Sequence, residues 1–226
     1  MVRIVCWNIN RGLDAWKKLR EMGDADVAVL QEVGKTVARP IAKRIGERAA
    51  WDWNRSSRWP AVVPLSDRVE VDLFTPVAPE LGETTQNTIA VSDSRTLAAA
   101  RVTPLRGGKP AGEPFLVFSM YARWFEPNPL AGRSSSQRGG RTIGIYSDGS
   151  AHRVISDLSA FIGHTNPASH RLLAAGDLNT IYGAADNNRL EKPARARTIF
   201  DWMQVLGLEF MGPQWPSADR QADPIP

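Results

Sequence analysis

Cysteine is almost missing from this chain of 226 residues: Cys6 carries its only thiol, so no internal disulfide can form. A reducing compartment does without such bridges, and a cytoplasmic location is the expectation. Histidine is scarce too. His152 opens a helical segment, while His164 and His170 flank the turn HTNPASH, a spacing that suits no standard metal site. Long apolar runs are also lacking, since no stretch approaches the roughly 20 residues that span a bilayer. The opening MVRIVCWNIN is interrupted by Asn8 and Asn10 and has no small-residue cleavage site, so it reads as a strand and not as a signal peptide. No internal repeat, low-complexity tract or linker divides the chain, and 1–226 reads as a single domain large enough to bury a core.

The residues that are present lean basic, with a net charge of +4 and a pI near 9.5. Such a balance favours an anionic partner, either nucleic acid or a phosphorylated small molecule. Tryptophan is abundant, at eight residues; Trp51 and Trp53 precede Arg55, and Trp59 follows Arg58. Stacking on bases is one use for them, and core packing is the commoner one.

Hydrophobic patterning gives an α/β order. The run 2–7 predicts a strand buried on both faces, and 14–22 predicts a helix with Trp16, Leu19 and Met22 on one side and Gly23 as its stop. Residues 26–30, DVAVL, predict a second buried strand closing in Gln31 and Glu32, and 36–50 predicts a helix. Between 61 and 105 the runs VEVDLF and TIAVSD suggest antiparallel strands or hairpins, followed by the turn-rich GGKPAGEP and the strand PFLVFSMYA. Residues 125–150, rich in Gly, Ser and Arg, read as an irregular functional loop. A helix over 151–163, a strand over 171–175 and a helix over 194–207 complete the pattern, and GPQWPSADRQADPIP reads as loop.

Three of these strands end in polar residues: WNIN at Asn8, LQEV at Glu32, and GDLN at Asp177 and Asn179. Strand ends of layered α/β folds hold functional groups rigidly. Carboxylate and amide oxygens there are hard donors of the kind that Mg²⁺ prefers. Each residue also has an ordinary explanation. Asp177 and Asn179 suit a turn, Asn8 a loop backbone, Tyr121 a partly buried strand, and Glu32 an ion pair with Lys35 or Arg39.

Taken in order, CWNIN, LQEV, the strand VFSMYARW and GDLN resemble the endonuclease/exonuclease/phosphatase superfamily, the metal-dependent phosphoesterases of the exonuclease III and DNase I type. The resemblance spans residues 1 to about 180. It implies a four-layer α/β sandwich with two central mixed, largely antiparallel sheets. It also implies a Mg²⁺ (or Mn²⁺) site at Asn8 and Glu32, with Glu32 the direct ligand, and Tyr121 holding the scissile phosphate or its leaving oxygen. Asp177 would then orient and deprotonate the attacking water, and Asn179 would bind nucleophile and phosphate; apart from the resemblance, Arg133, Arg138 and Arg141 suit either a phosphate-binding loop or a solvated one. A monomer acting on nucleic acid is the substrate and partner reading, with a phosphatase of small molecules or lipids as the alternative. The superfamily pattern closes with Ser-Asp-His, which occurs nowhere in this sequence. The resemblance therefore implies a domain truncated at its C-terminus, and it leaves open a catalytically impaired binding protein on the same scaffold.

Overall fold

In the computed structural model, which describes residues 1–34, 58–77, 85–93, 95–123, 134–138, 141–145, 150–164, 171–180, 193–209 and 211, the apolar opening of the chain is a strand, β1 (Ile4–Asn8). Helix α1 (Leu13–Glu21) follows and buries Ala15, Trp16 and Leu19, the side that the 3.6-residue period selects. Strand β2 (Val27–Val33) is buried throughout and lies parallel to β1, which is why its sequence is continuously apolar and not alternating. Strand β3 (Trp59–Pro64) pairs antiparallel to β2 and completes a three-stranded sheet in the order β1-β2-β3.

The second sheet takes β4 (Val69–Leu73), β7 (Leu97–Arg106), β9 (Phe115–Tyr121) and β12 (Leu172–Asp177), in the order β12-β9-β7-β4. A two-residue strand, β8 (Lys109–Pro110), folds back onto β7. The β4/β7 and β7/β9 pairs are antiparallel, and β12/β9 is parallel. Two small pairs stand apart: β5 (Thr75–Val77) with β6 (Thr88–Ala90), and β10 (Ser134–Arg138) with β11 (Arg141–Ile145). Helices α2 (Ala151–His164) and α3 (Pro193–Val205) pack on the second sheet.

Three apolar clusters hold these elements. Trp16 and Leu19 of α1 meet Ala28, Leu30, Trp59 and Val63 of the first sheet. Val27, Val29 and Val62 of that sheet meet Ala100, Val102 and Val117 of the second, so the two sheets pack face to face. The far face of the second sheet, with Ala99, Phe118 and Met120, meets Val154, Ile155 and Leu158 of α2 and Ile199 of α3. Burying a Leu, Val or Phe side chain contributes about 1.5–3 kcal/mol, so these clusters dominate the stability of the fold. No helix among the described residues is long and apolar enough to cross a membrane.

Two expectations change. The stretch 125–150 contains the antiparallel β10/β11 pair, because Ser, Thr and Gly pair through backbone without leaving a hydrophobic period to read. Within 61–105 the β5/β6 pair is parallel, since alternation fixes which face a side chain takes and is silent on strand direction. The helix expected over 36–50 and the terminal GPQWPSADRQADPIP lie outside the described residues.

Candidate functional site

Four strands grow more polar toward one end of the face between the sheets. Along β1 the side chains are Ile4, Cys6 and Asn8; along β2, Val27, Val29 and Gln31; along β9, Val117, Ser119 and Tyr121; along β12, Ala175 and Asp177. Both pairs are parallel, β1 with β2 and β9 with β12, so the polar ends are C-terminal ends in all four. Behind the site a buried link crosses between the sheets. Gln31 Nε2 donates to Ser119 Oγ at 3.1 Å, and Ser119 Oγ donates to the Leu30 carbonyl at 2.7 Å.

Glu32 reaches the site through a break in β2. The register with β3 shifts between Leu30 and Val33, and Glu32 has φ 54°, a left-handed conformation that a non-glycine residue rarely adopts. Val33 thereby returns to the α1 side with Leu30, and the Glu32 side chain turns out of the alternation toward its neighbours. Such strain costs about 1–3 kcal/mol and persists where the surrounding packing fixes it. Glu32 Oε1 accepts from Tyr121 Oη at 3.2 Å and from Asn8 Nδ2 at 3.3 Å. Its other oxygen, Oε2, is buried without a hydrogen bond, and Arg58 Nη1 stands 3.1 Å away as its charge partner.

Asn8 joins the two carboxylates, since its Nδ2 also donates to Asp177 Oδ2 at 2.8 Å. Its carbonyl accepts from the Asn10 backbone N–H at 3.1 Å, which fixes the amide plane. Asp177 Oδ1 accepts from the Asn179 backbone N–H at 2.9 Å. Asn179 Nδ2 donates to the Ala122 carbonyl at 2.5 Å, and the Ala122 N–H donates to the Asp177 carbonyl at 2.8 Å, so the ends of β9 and β12 are laced together. Gly176 is required next to this point: a Cβ there would lie 1.9 Å from the Met120 carbonyl oxygen.

Burial pushes the Tyr121 phenol above its ordinary pKa; Arg58 opposes this, and the Glu32 carboxylate reinforces it through its charge and as acceptor. The phenol therefore stays protonated at neutral pH and donates. Among the described residues no three His, Cys, Asp or Glu side chains gather into a metal group, and the two carboxylates here are accompanied by amides and a phenol.

Of the residues expected from sequence, Asn8, Glu32, Tyr121, Asp177 and Asn179 come together. Arg133 lies outside the described residues; Arg138 and Arg141 are Cα partners in the β10/β11 pair, and their side chains are likewise outside the description. Lys35 and Arg39, considered as partners of Glu32, lie outside it as well, and Arg58 takes that part. Trp59 is buried in the α1 cluster, so it serves packing; Trp51 and Trp53 are not among the described residues. His152 contacts Thr198 of α3, away from the site. Sequence reading missed Gln31, Ser119 and Arg58. Ser119 had a signal, as the one hydroxyl in the apolar half of FLVFSMY, whereas Arg58 had none.

No protein-family model matches the chain, and the search of curated proteins found no relative.

Proposed function

We propose that this chain hydrolyses phosphodiester bonds in nucleic acid with the help of a Mg²⁺-type cation, on the four-layer α/β scaffold of the endonuclease/exonuclease/phosphatase enzymes. One observation carries the reading: Asn8, Glu32, Tyr121 and Asp177, up to 169 positions apart in sequence, form one hydrogen-bonded cluster at four strand ends. Turn residues and isolated ion pairs have no reason to converge in this way. The stacking of α1, two sheets and two helices through three apolar clusters supports the scaffold.

The residues fit a hard divalent ion. The carboxylates of Glu32 and Asp177 offer oxygens, and Glu32 Oε2 is buried without a hydrogen bond, with Arg58 Nη1 3.1 Å away as its charge partner. Glu32 would hold the ion, with Asn8 orienting that carboxylate through its amide N–H; the ion when bound supplies charge neutralisation to the phosphate oxygens. The chain's own residues supply the rest. Asp177, half-buried, is the base that takes a proton from the attacking water, with its two oxygens set by Asn8 and the Asn179 N–H. Asn179 fixes the loop in which that carboxylate ends. Tyr121 remains a proton donor beside Glu32 and holds a phosphate oxygen as charge develops. The basic balance of the chain favours a polyanionic substrate.

The test is hydrolysis of plasmid, abasic-site and single-stranded DNA, beside an aryl phosphodiester, with and without Mg²⁺. Metal-dependent turnover that disappears in Asp177→Ala is expected. Nucleic-acid binding without turnover above that control would make the chain a binding protein on the same scaffold and overturn the proposal.

A further inference from the structure

Beyond Tyr121 the chain carries a second polar cluster that the reaction described above does not use. Asp93 is buried, at 4% exposed, and accepts from Arg95 through its backbone N–H at 2.9 Å, Nε at 2.8 Å and Nη2 at 2.5 Å. Arg123 Nη1, a buried atom, lies 3.8 Å from the same carboxylate, and the two arginine side chains as wholes remain about a quarter exposed, at 26% and 25%. Ser92, Asp93 and Thr96 are firmly seated. The Ser92 N–H and hydroxyl donate to buried Asp157 of α2 at 2.8 and 2.7 Å, and the Thr96 hydroxyl donates to the Asp93 carbonyl at 2.6 Å. The Tyr121 N–H in turn donates to the Thr96 carbonyl at 2.7 Å, which ties Thr96 to the strand that presents the phenol.

Guanidiniums gather here. Arg58, Arg95 and Arg123 stand near one another, with Arg58 on Glu32 and both Arg95 and Arg123 on Asp93. Arg95 already engages both Asp93 oxygens, so that carboxylate serves two guanidiniums. Burial lowers the Arg123 pKa, and the Arg95 charge lowers it further, against the pull of Asp93. Arginine stays protonated regardless, so Arg123 keeps its charge close to the guanidiniums of Arg95 and Arg58. Arg123 follows Tyr121 by two residues, with Ala122 between them held at both backbone groups, so the two side chains leave the strand end from adjoining places.

We infer that Arg123, seated on Asp93 and Arg95, forms a subsite for a second phosphate of the substrate, next to the one that is cut. This rests on the phosphodiesterase reading. A planar guanidinium on a rigid carboxylate suits phosphate better than a flexible lysine does. The ligand is a phosphate group, supplied by the neighbouring backbone unit of a polynucleotide or by a terminal phosphomonoester.

The experiment compares the Mg²⁺-loaded protein with Arg123→Gln and Arg123→Lys on decathymidylate, with and without a 5′-phosphate, and on bis(4-nitrophenyl) phosphate, which has one phosphate only. Thermal melts establish that each variant is folded. Arg123→Gln is expected to lower kcat/KM on the oligonucleotide about tenfold, chiefly through KM, and to leave the one-phosphate substrate within about twofold. The slope of affinity against salt falls by about one, and Arg123→Lys recovers part of the loss. A loss confined to the 5′-phosphorylated strand identifies a terminal phosphate, and an equal loss on both strands identifies the backbone. Equal losses on oligonucleotide and aryl ester, or none on either, overturn the subsite. If the wild type cleaves nothing, the phosphodiesterase reading fails by itself. Inorganic phosphate binding, followed by ³¹P line broadening, then decides the subsite: about tenfold weaker binding in Arg123→Gln upholds it, and unchanged binding ends it.

Discussion

Asp177 and Tyr121 touch the same small volume from neighbouring strands of the second sheet, and their chemistry separates them. A base that loses its carboxylate loses proton transfer, so Asp177→Asn should lower kcat by about 10²–10⁴-fold with the fold intact, as steady-state kinetics beside a thermal melt will show. Tyr121→Phe removes one donor to developing charge and should cost about 10²-fold in kcat. Because burial and Glu32 hold the phenol above its ordinary range, the variant should keep the wild-type pH profile between about pH 5 and 9. A limb that vanishes in Tyr121→Phe would contradict that placement. The sequence carried these residues as types at strand ends, and their grouping was legible only through the resemblance. Arg58 was illegible, because an ion pair with Glu32 depends on where β3 starts and leaves no local pattern. Gln31 and Ser119, which lace the sheets behind Glu32, needed the pairing of two sheets before their polarity made sense.

Elements deliver these side chains through two local exceptions to regular strand geometry. The bulge in β2 re-aims Glu32, and the close approach at Gly176 lets β12 lie against Met120 of β9. Gly176→Ala forces a Cβ into a backbone carbonyl, so it should destabilise the protein by at least about 3 kcal/mol in denaturant unfolding. Activity should fall with it, since Asp177 is the next residue. A variant with unchanged midpoint would refute the close approach. Apolar periodicity located β1, α1, β2, β9, α2 and α3 within a few residues, because each buries a continuous stripe. It left β10/β11 as loop and gave no direction to β5/β6, because backbone pairing between small polar residues has no hydrophobic signature.

Across the whole molecule the sheets are also fastened at the end remote from the site. Asp26, buried at the start of β2, accepts from the Arg3 N–H at 2.8 Å, Ser66 Oγ at 2.6 Å and Arg68 Nε at 2.7 Å. Burial alone would raise its pKa, but the hydrogen bonds from Ser66, Arg3 and Arg68 prevail and the net shift is downward. A carboxyl with a depressed folded value contributes stability above its unfolded pKa of about 3.9 and loses it as pH falls through the folded one. Asp26→Asn should therefore cost about 2 kcal/mol at pH 7, and its stability curve should converge on the wild type below about pH 4. Parallel curves down to pH 2 would show that the network is not set by charge. Layering was legible as an α/β order, while the facing of the two sheets was not, since a strand buried on both faces does not say what buries it. The central claim is that strand ends from both sheets act as one phosphoester-cleaving site, and a double-mutant cycle tests it most directly. Mg²⁺-dependent kcat/KM on single-stranded DNA is measured for wild type, Glu32→Gln, Asp177→Asn and the pair. One site predicts that the double variant is no more than about threefold worse than the poorer single variant, because groups acting as a unit are non-additive. Losses that multiply, or a wild type with no Mg²⁺-dependent turnover, would contradict it.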